Sequence, residues 1–398
     1  MTPSPHAGPP AATGSGPAPA NSVPPVPAAP APPESVTATV LGPWPGTDPV
    51  EAAKVGLGLL PEPHLPALAS LPARGVGSDA VGRTAALLVE MSVDVQPYGW
   101  RLVDRPGLDL RRATSALRTD ANVLADVVGV GELAPAEFKA HIMGPVSLAA
   151  ALHLHHGERA LSDHGARRDI ADSLADGLAA HAAALRAAVP GAALTLQVDE
   201  PTVARALAGT IPTASGYRTL RSIPGSELRR VWTEFLDAAR AASFSQAVLN
   251  LGRDGTLQAT SPAAGPAAAS EGGTAAAERK AWRNAVGLAL ESGPDALAVP
   301  LDLLDTGHWE QLAQALESGT GVWAGLVPAR PGQAPPSYAS LVESIMVPWR
   351  GLGLDPALLN QLRITPATGL ADVSPQEARR VAERSLEVAE ELTAIRYR

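Results

Sequence analysis

The chain contains no cysteine among its 398 residues. That excludes disulfides, thiolate nucleophiles and every zinc site built on sulfur. It also has no excess of positive charge, since 31 lysines and arginines stand against 40 aspartates and glutamates, a formal net charge of -9. A surface of that sign gains nothing by releasing the counterions of a nucleic acid or an anionic membrane, so neither is expected as a partner. No basic start followed by a long apolar run occurs at the amino terminus, so neither a signal peptide nor a membrane span is expected, and a cytoplasmic location follows as the expectation. A small-molecule ligand is the remaining partner class.

What is present is a large apolar fraction, 45% of the residues, enough to bury one big α/β barrel or the cores of two ordinary domains. Two segments stand apart in composition. Residues 1–34 are made mainly of Ala, Pro, Gly and Ser and read as a disordered tail, because they offer too little apolar surface to offset the entropy of ordering. A second low-complexity stretch, about 254–277, interrupts the middle of the chain and reads as a long insert loop.

Between these segments, strand-like and helix-like patterns alternate. Apolar runs occur at residues 36–44, 92–100, 138–145, 193–201, 246–252, 296–304, 321–329 and 361–369, one for each place in an eight-stranded barrel. Helical patterns follow most of them, at 78–90, 169–189, 226–242, 275–291, 308–317 and 374–395. The last opens on Ser374-Pro375-Gln376-Glu377, a capping serine with Pro at the first helical position and Glu at the third. Repeated strand-then-helix units imply parallel strands joined by right-handed crossovers. The fold class is therefore α/β, a single (β/α)8 TIM-type barrel over residues 35–398 with a disordered amino-terminal tail; a doubly wound open sheet is the alternative. In either fold, ligands meet the carboxyl ends of the strands.

At one such end the sequence reads Leu194-Thr-Leu-Gln197-Val-Asp199-Glu200-Pro201. Successive side chains on a strand point to opposite faces, so one of the two acids faces the barrel interior and the other the outer layer. Asp199 and Glu200 are thus candidate ligand contacts. The competing assignment is structural: a cap for the next helix, or a pair with Arg205.

The order of several strand ends resembles a known family. "FKAHIMGPVSLAAAL" followed by "LTLQVDEP", with "LGPWPGTD" near the start and "ITPATGL" near the end, is similar to the catalytic barrel of cobalamin-independent methionine synthase, a relative of uroporphyrinogen decarboxylase. The likeness runs from about Val36 to the carboxyl terminus without the two low-complexity segments. It implies methyl transfer from a reduced folate to a thiol such as homocysteine. Carried over by position, it assigns Asp199 to the ligand's ammonium group and Gly42 to the close approach of the amino-acid substrate. Gly144 and Gln197 complete the expected pocket floor, and Glu200 is a further candidate substrate contact. Pro43 stands where the family has a serine.

The family's catalytic metal does not carry over. Its fifth strand ends in His-x-Cys, its sixth in Glu, and a second Cys follows at the eighth; together they hold zinc, which keeps the thiol as thiolate. Here Asn250 and Gly252 occupy the first two places, Pro300 or Leu301 the third with Asp302 as the nearest acid, and Thr368 the last. The family's proton-donating histidine aligns with Leu326 and its aromatic folate platform with Ala151. No tightly bound cofactor is expected, because zinc's ligands are absent.

Three other features bear on function. His153, His155, His156 and His164 lie close in sequence, and on a helix His153 and His156 would share a face suited to a metal; a solvated helix end is the alternative. Asp163 is a possible helix cap, with Arg167 and Arg168 placed to hold an anion or to pair with Asp169, Asp172 or Asp176. Trp44 and Trp100 fall at strand ends, where their rings could stack on a heterocycle or simply close the barrel mouth. Two classes of function remain: an enzyme of the methionine synthase type with altered chemistry, or a catalytically lapsed barrel that binds an amino acid or folate-like ligand. A metal-free decarboxylase is a weaker third, since no arginine cluster lies near the first strand.

Overall fold

The computed structural model describes Met1, residues 34–252 and residues 272–397. The expected tail up to residue 33 and most of the expected insert lie outside these residues. The insert's last six residues do not: they belong to a helix that opens at Gly272.

Seven parallel strands curl into the body of the barrel. In chain order they are β1 (Thr37–Ala38), β4 (Glu137–Met143), β5 (Ala193–Asp199), β6 (Gln246–Asn250), β7 (Ala296–Pro300), β8 (Gly321–Val327) and β9 (Leu362–Pro366), hydrogen-bonded in the order β1-β9-β8-β7-β6-β5-β4. Every residue of β5, β7 and β9 is buried, as expected for parallel strands covered on both faces.

The eighth place is filled by residues that the sequence reading passed over. Residues 65–70 run between β1 and β4: the Leu65 and Ser70 amides donate to the carbonyls of Ala38 and Gly42, both at 3.0 Å, and the Leu68 amide to that of Lys139 at 2.8 Å. Pro66 has no N–H to give, so the ladder is interrupted and only isolated bridges remain. The run at 92–100, expected to be the second barrel strand, is instead an antiparallel hairpin outside the barrel, β2 (Ser92–Gln96) with β3 (Gly99–Val103), turned at Pro97-Tyr98.

The helices wrap the outside. They are α1 (Pro49–Leu59), α2 (Ala80–Ala85), α3 (Leu108–Val130), α4 (Pro145–Ala151), α5 (His164–Ala188), α6 (Val203–Ala208), α7 (Gly225–Ala241), α8 (Gly272–Glu291), α9 (Thr306–Glu317), α10 (Tyr338–Gly351) and α11 (Pro375–Arg396). Their starts are written locally. Asp48 accepts from Val50 N and precedes Pro49 at the first turn of α1; Asp163 accepts from Ala166 N to open α5; Ser374 and Glu377 form a reciprocal capping box on α11. The long α3 and α10 were not anticipated. No helix among the described residues is long and apolar enough to cross a membrane.

Two apolar clusters result. The large one lies between sheet and helices, and a small one inside the barrel joins Leu65, Val248, Ala296 and Ala298 to Trp323. A buried ion triad fixes α3 to the second barrel unit: Asp120 on α3 takes a bidentate pair from Arg74 at 2.7 and 2.8 Å and a further bond from Arg83 on α2. Asp120 is 4% exposed and Arg83 7%. Removing the acid would leave two guanidinium groups facing one another without the carboxylate that bridges them.

Asp120→Ala is therefore expected to lose about 3–5 kcal/mol in urea denaturation, the range for breaking a buried pair from one side. Asp169→Ala, which removes an ion pair exposed on both sides, is expected to lose under about 1 kcal/mol.

Candidate functional site

At the end of β5 the pleat separates the two acids. Gln197 and Asp199 point into the barrel, where they meet Lys139 of β4, the Leu41 carbonyl and Asn250 of β6. Glu200 turns outward and is 0% exposed. Its carboxylate accepts from the amides of Val146 and Ser147 at 3.1 and 2.7 Å, the open start of α4, and from the indole N–H of Trp232 on α7 at 3.1 Å. The acid expected to contact a ligand thus caps one helix and ties down another.

The inward network is built from complementary donors and acceptors. The Lys139 ammonium donates to the Val40 carbonyl and, at 2.5 Å, to Gln197 Oε1. Gln197 Nε2 then donates to the Leu41 carbonyl at 3.0 Å and to Asp199 Oδ1 at 2.6 Å, and Asn250 Nδ2 reaches the same oxygen at 2.7 Å. Oδ1 therefore carries both bonds, while Oδ2 accepts none from the described residues. Behind this network, Trp323 of β8 is flanked by Lys139 at 5.1 Å and by the Arg363 guanidinium of β9 at 5.5 Å from its ring centre. Arg363 is in turn tied to Thr37 Oγ1 at 2.9 Å and Glu137 at 3.3 Å.

Burial pushes both ends of the network toward neutrality. Asp199 is raised to about 6 by burial, an effect that the bonds from Gln197 and Asn250 and the charge of Lys139 only partly offset. Lys139 is lowered to about 7 by burial, against the pull of Asp199 and with the push of Arg363.

Two glycines expected to line a ligand pocket face protein groups. Gly42 has φ +116°, which favours glycine, and a Cβ there would lie 2.1 Å from Nδ1 of His141. The imidazole occupies the space above its Cα. A Cβ at Gly144 would lie 2.4 Å from the Glu200 carboxylate, so that glycine admits the acid to the start of α4.

His141 also pairs with Ser70, Nε2 to Oγ at 3.1 Å, a geometry that invites comparison with a nucleophile and its base. The other ring nitrogen decides otherwise. Nδ1 is buried without a partner against the Gly42 backbone, which is tolerable for a bare acceptor and costly for an N–H. The tautomer that this favours carries its proton on Nε2 and donates it to Ser70, and in it the imidazole is not placed to deprotonate the hydroxyl. Burial holds the ring's pKa well below its usual value, so it is neutral at pH 7.

The residues that the resemblance set at zinc-ligand places are engaged elsewhere or carry no ligating group. The Asn250 side chain is bonded to Asp199, Gly252 offers no side chain, and the Thr368 hydroxyl turns onto the Gly369 carbonyl at 3.2 Å. Pro300 ends β7, and Leu301 and Asp302 enter a short 3-10 turn. Among the described residues, no group of three or more His, Asp or Glu is placed to hold a metal ion. The expected helix carrying His153 and His156 is absent as well. After α4 the chain is extended, with His153 bridging to Arg101 and Arg159, because helix α4 stops at Leu152 and the Leu154–Glu158 turn follows. His153 is buried while His155 and His156 are exposed. Asp163 does cap α5, Arg168 pairs with Asp169 at 2.8 Å, and Arg167 pairs with Glu227 of α7 at 2.8 Å rather than along its own helix.

Trp44 and Trp100 are each 6% exposed, which leaves little ring face for stacking. Trp100 belongs to the hairpin, and its indole N–H donates to Asp79, the cap of α2, at 3.0 Å. Pro43 packs beside Gly369, and Ala151 and Leu326 are partly buried members of the large core. Sequence reasoning missed Lys139, His141, Trp323 and Arg363. A signal was there: Lys139 and His141 alternate with Phe138, Ala140 and Ile142, so the polar residues of that strand share its inward face.

Comparison with known proteins supports the architecture. No protein-family model matches the chain, and no curated protein matches its sequence. Among solved structures, it is similar to a B12-independent methionine synthase from Shewanella sp. W3-18-1 in complex with selenomethionine, with a TM-score of 0.56 and 11% identity over 91% of this chain and 98% of that one. A putative fructose-1,6-bisphosphate aldolase from Coccidioides immitis matches at TM-score 0.29 and 12% identity, over 70% and 89% of the two chains. At such identity the likeness to the synthase is one of fold, a TIM-type barrel.

The raised Asp199 gives a signed pH effect. Between its unfolded value near 3.8 and about 6, the folded protein holds a proton that the unfolded chain has released, so stability from this group falls as pH rises through that window. Asp199→Asn removes the fall. Its stability relative to wild type is expected to rise between pH 4 and 7 by roughly 1–3 kcal/mol, read from urea denaturation at each pH.

Proposed function

We propose that this chain is a barrel of the methionine synthase type that binds a small amino acid through Asp199, without the zinc-dependent methyl transfer of that enzyme class. The observation that carries the reading is the division of labour on the Asp199 carboxylate. Oδ1 is anchored by Gln197 and Asn250, and Oδ2 is left as an acceptor. An acceptor-only oxygen in a mostly buried site suits an ammonium group, which would donate a charge-assisted hydrogen bond to it.

Asn250 argues against the metal-dependent chemistry. The side chain at a zinc-ligand position instead supports the carboxylate. An unassisted thiol with a pKa of about 8.5 is only a few per cent thiolate at neutral pH, so activation of a thiol acceptor would lack its main source. The selenomethionine held by the structural neighbour suggests the probes: methionine, selenomethionine and homocysteine.

Calorimetric titration of these amino acids is expected to show binding that Asp199→Ala weakens by about 2–4 kcal/mol, with the fold retained. Equal affinities in the two proteins would assign the carboxylate to barrel stability alone. Turnover of homocysteine with a methylated folate would establish the enzymatic alternative. Protein purified without added metal is expected to hold no stoichiometric zinc; one tightly bound ion per chain in elemental analysis would overturn that part of the reading.

A further inference from the structure

Lys139 is 0% exposed and makes none of its bonds at the barrel mouth, yet it stands two hydrogen bonds from Asp199. We infer that Lys139 is a positioning residue for this site: by fixing the orientation of the Gln197 amide, it determines which Asp199 oxygen is left for a ligand and keeps that carboxylate ionised. The inference rests on the reading of Asp199 as the ligand's acceptor.

A primary amide looks nearly the same when its oxygen and nitrogen are exchanged, so its orientation must come from its neighbours. Gln197 has three of them: the Lys139 ammonium, which only donates, and the Leu41 carbonyl and Asp199 carboxylate, which only accept. Only one orientation satisfies all three. Turned over, the amide would set its NH2 against the ammonium and its oxygen against two other oxygens, all within a buried site. Lys139 is itself held by the Val40 carbonyl and by the face of Trp323. The order is thus relayed from the barrel interior outward, ammonium to amide to carboxylate.

Without the ammonium, Gln197 Oε1 loses its donor and the turned-over state loses one of its penalties, the Leu41 carbonyl alone continuing to oppose it once Asp199 takes up a proton. With its oxygen toward Asp199, the carboxyl gains by keeping a proton to donate. Loss of the positive charge acts in the same direction. The other ionisable groups in the surroundings stay in place: Arg363 of β9 behind Trp323, paired with Glu137 of β4; Glu200 on the outer face of β5; and neutral His141 of β4. Asn250, the contact from β6, does not titrate.

The test needs no ligand, so its outcome is independent of whether an amino acid binds. The ionisation of Asp199 is followed by carboxyl carbon NMR in wild type, in Lys139→Met and in Gln197→Met, with Asp199→Asn assigning the signal. The midpoint is expected to move upward by about one pH unit or more in each variant, a tenfold or greater change in proton affinity. A shift within about 0.3 unit in a folded Lys139→Met protein would reduce Lys139 to a packing residue, since a purely structural role lowers the melting temperature without moving this titration. Should both variants fail to fold, the wild-type protein still decides. The Lys139 Nζ resonance is expected to respond over the pH range in which Asp199 titrates, and a flat response would overturn the coupling.

Discussion

The pleat of one strand governs the rest of the molecule. Because β5 alternates its side chains, the adjacent acids Asp199 and Glu200 are sent to opposite sides of the sheet, one to the barrel interior and the other to the helical layer. Each then dictates its surroundings. Glu200 demands donors in an apolar layer and finds them in the start of α4 and the indole of α7, with Gly144 leaving room for the approach. Asp199 demands donors inside the barrel and draws in Gln197 and Asn250, behind which stand Lys139, Trp323 and Arg363.

A barrel interior of this composition carries a cost. Lys139, Arg363 and Asp199 are buried beside a small apolar cluster that includes Trp323 and Val248, where dehydration penalises every charge, and Glu137 meets Arg363 from a partly exposed position. The arrangement is tolerable because it is balanced and almost completely bonded: Arg363 with Glu137 and Thr37, Lys139 with two oxygens, and Asp199 with two amides. The groups left without a full set of partners are therefore informative. At the mouth this is Oδ2 of Asp199, since both amides bond Oδ1; deeper, an Arg363 nitrogen and Nδ1 of His141, closed off by the Gly42 backbone, remain unpaired. Only the first lies where a ligand of a TIM-type barrel would arrive.

The helical caps at Asp163 and Ser374, and the opposite facing of Asp199 and Glu200, were legible because each depends on a few neighbouring residues. The second barrel strand was not. Residues 65–70 are short and contain Pro66, whereas residues 92–100 have the stronger apolar pattern but fold onto their own neighbour as a hairpin. Period-two patterning reports that a segment is extended, and it does not say which strand it pairs with. The same limit applied to His153 and His156, whose spacing suits a helix that α4 has already ended.

The sequence by itself therefore determined the repeating strand-and-helix architecture, the carboxylates at the rim, and the absence of cysteine from every strand end, since these are properties of residue type and local order. Tertiary structure alone decided what those residues touch. That Asn250 supports Asp199, that His141 fills the space over Gly42, and that Lys139 reaches the carboxylate through Gln197 all depend on curling the sheet, which brings strands distant in sequence within a hydrogen bond of one another.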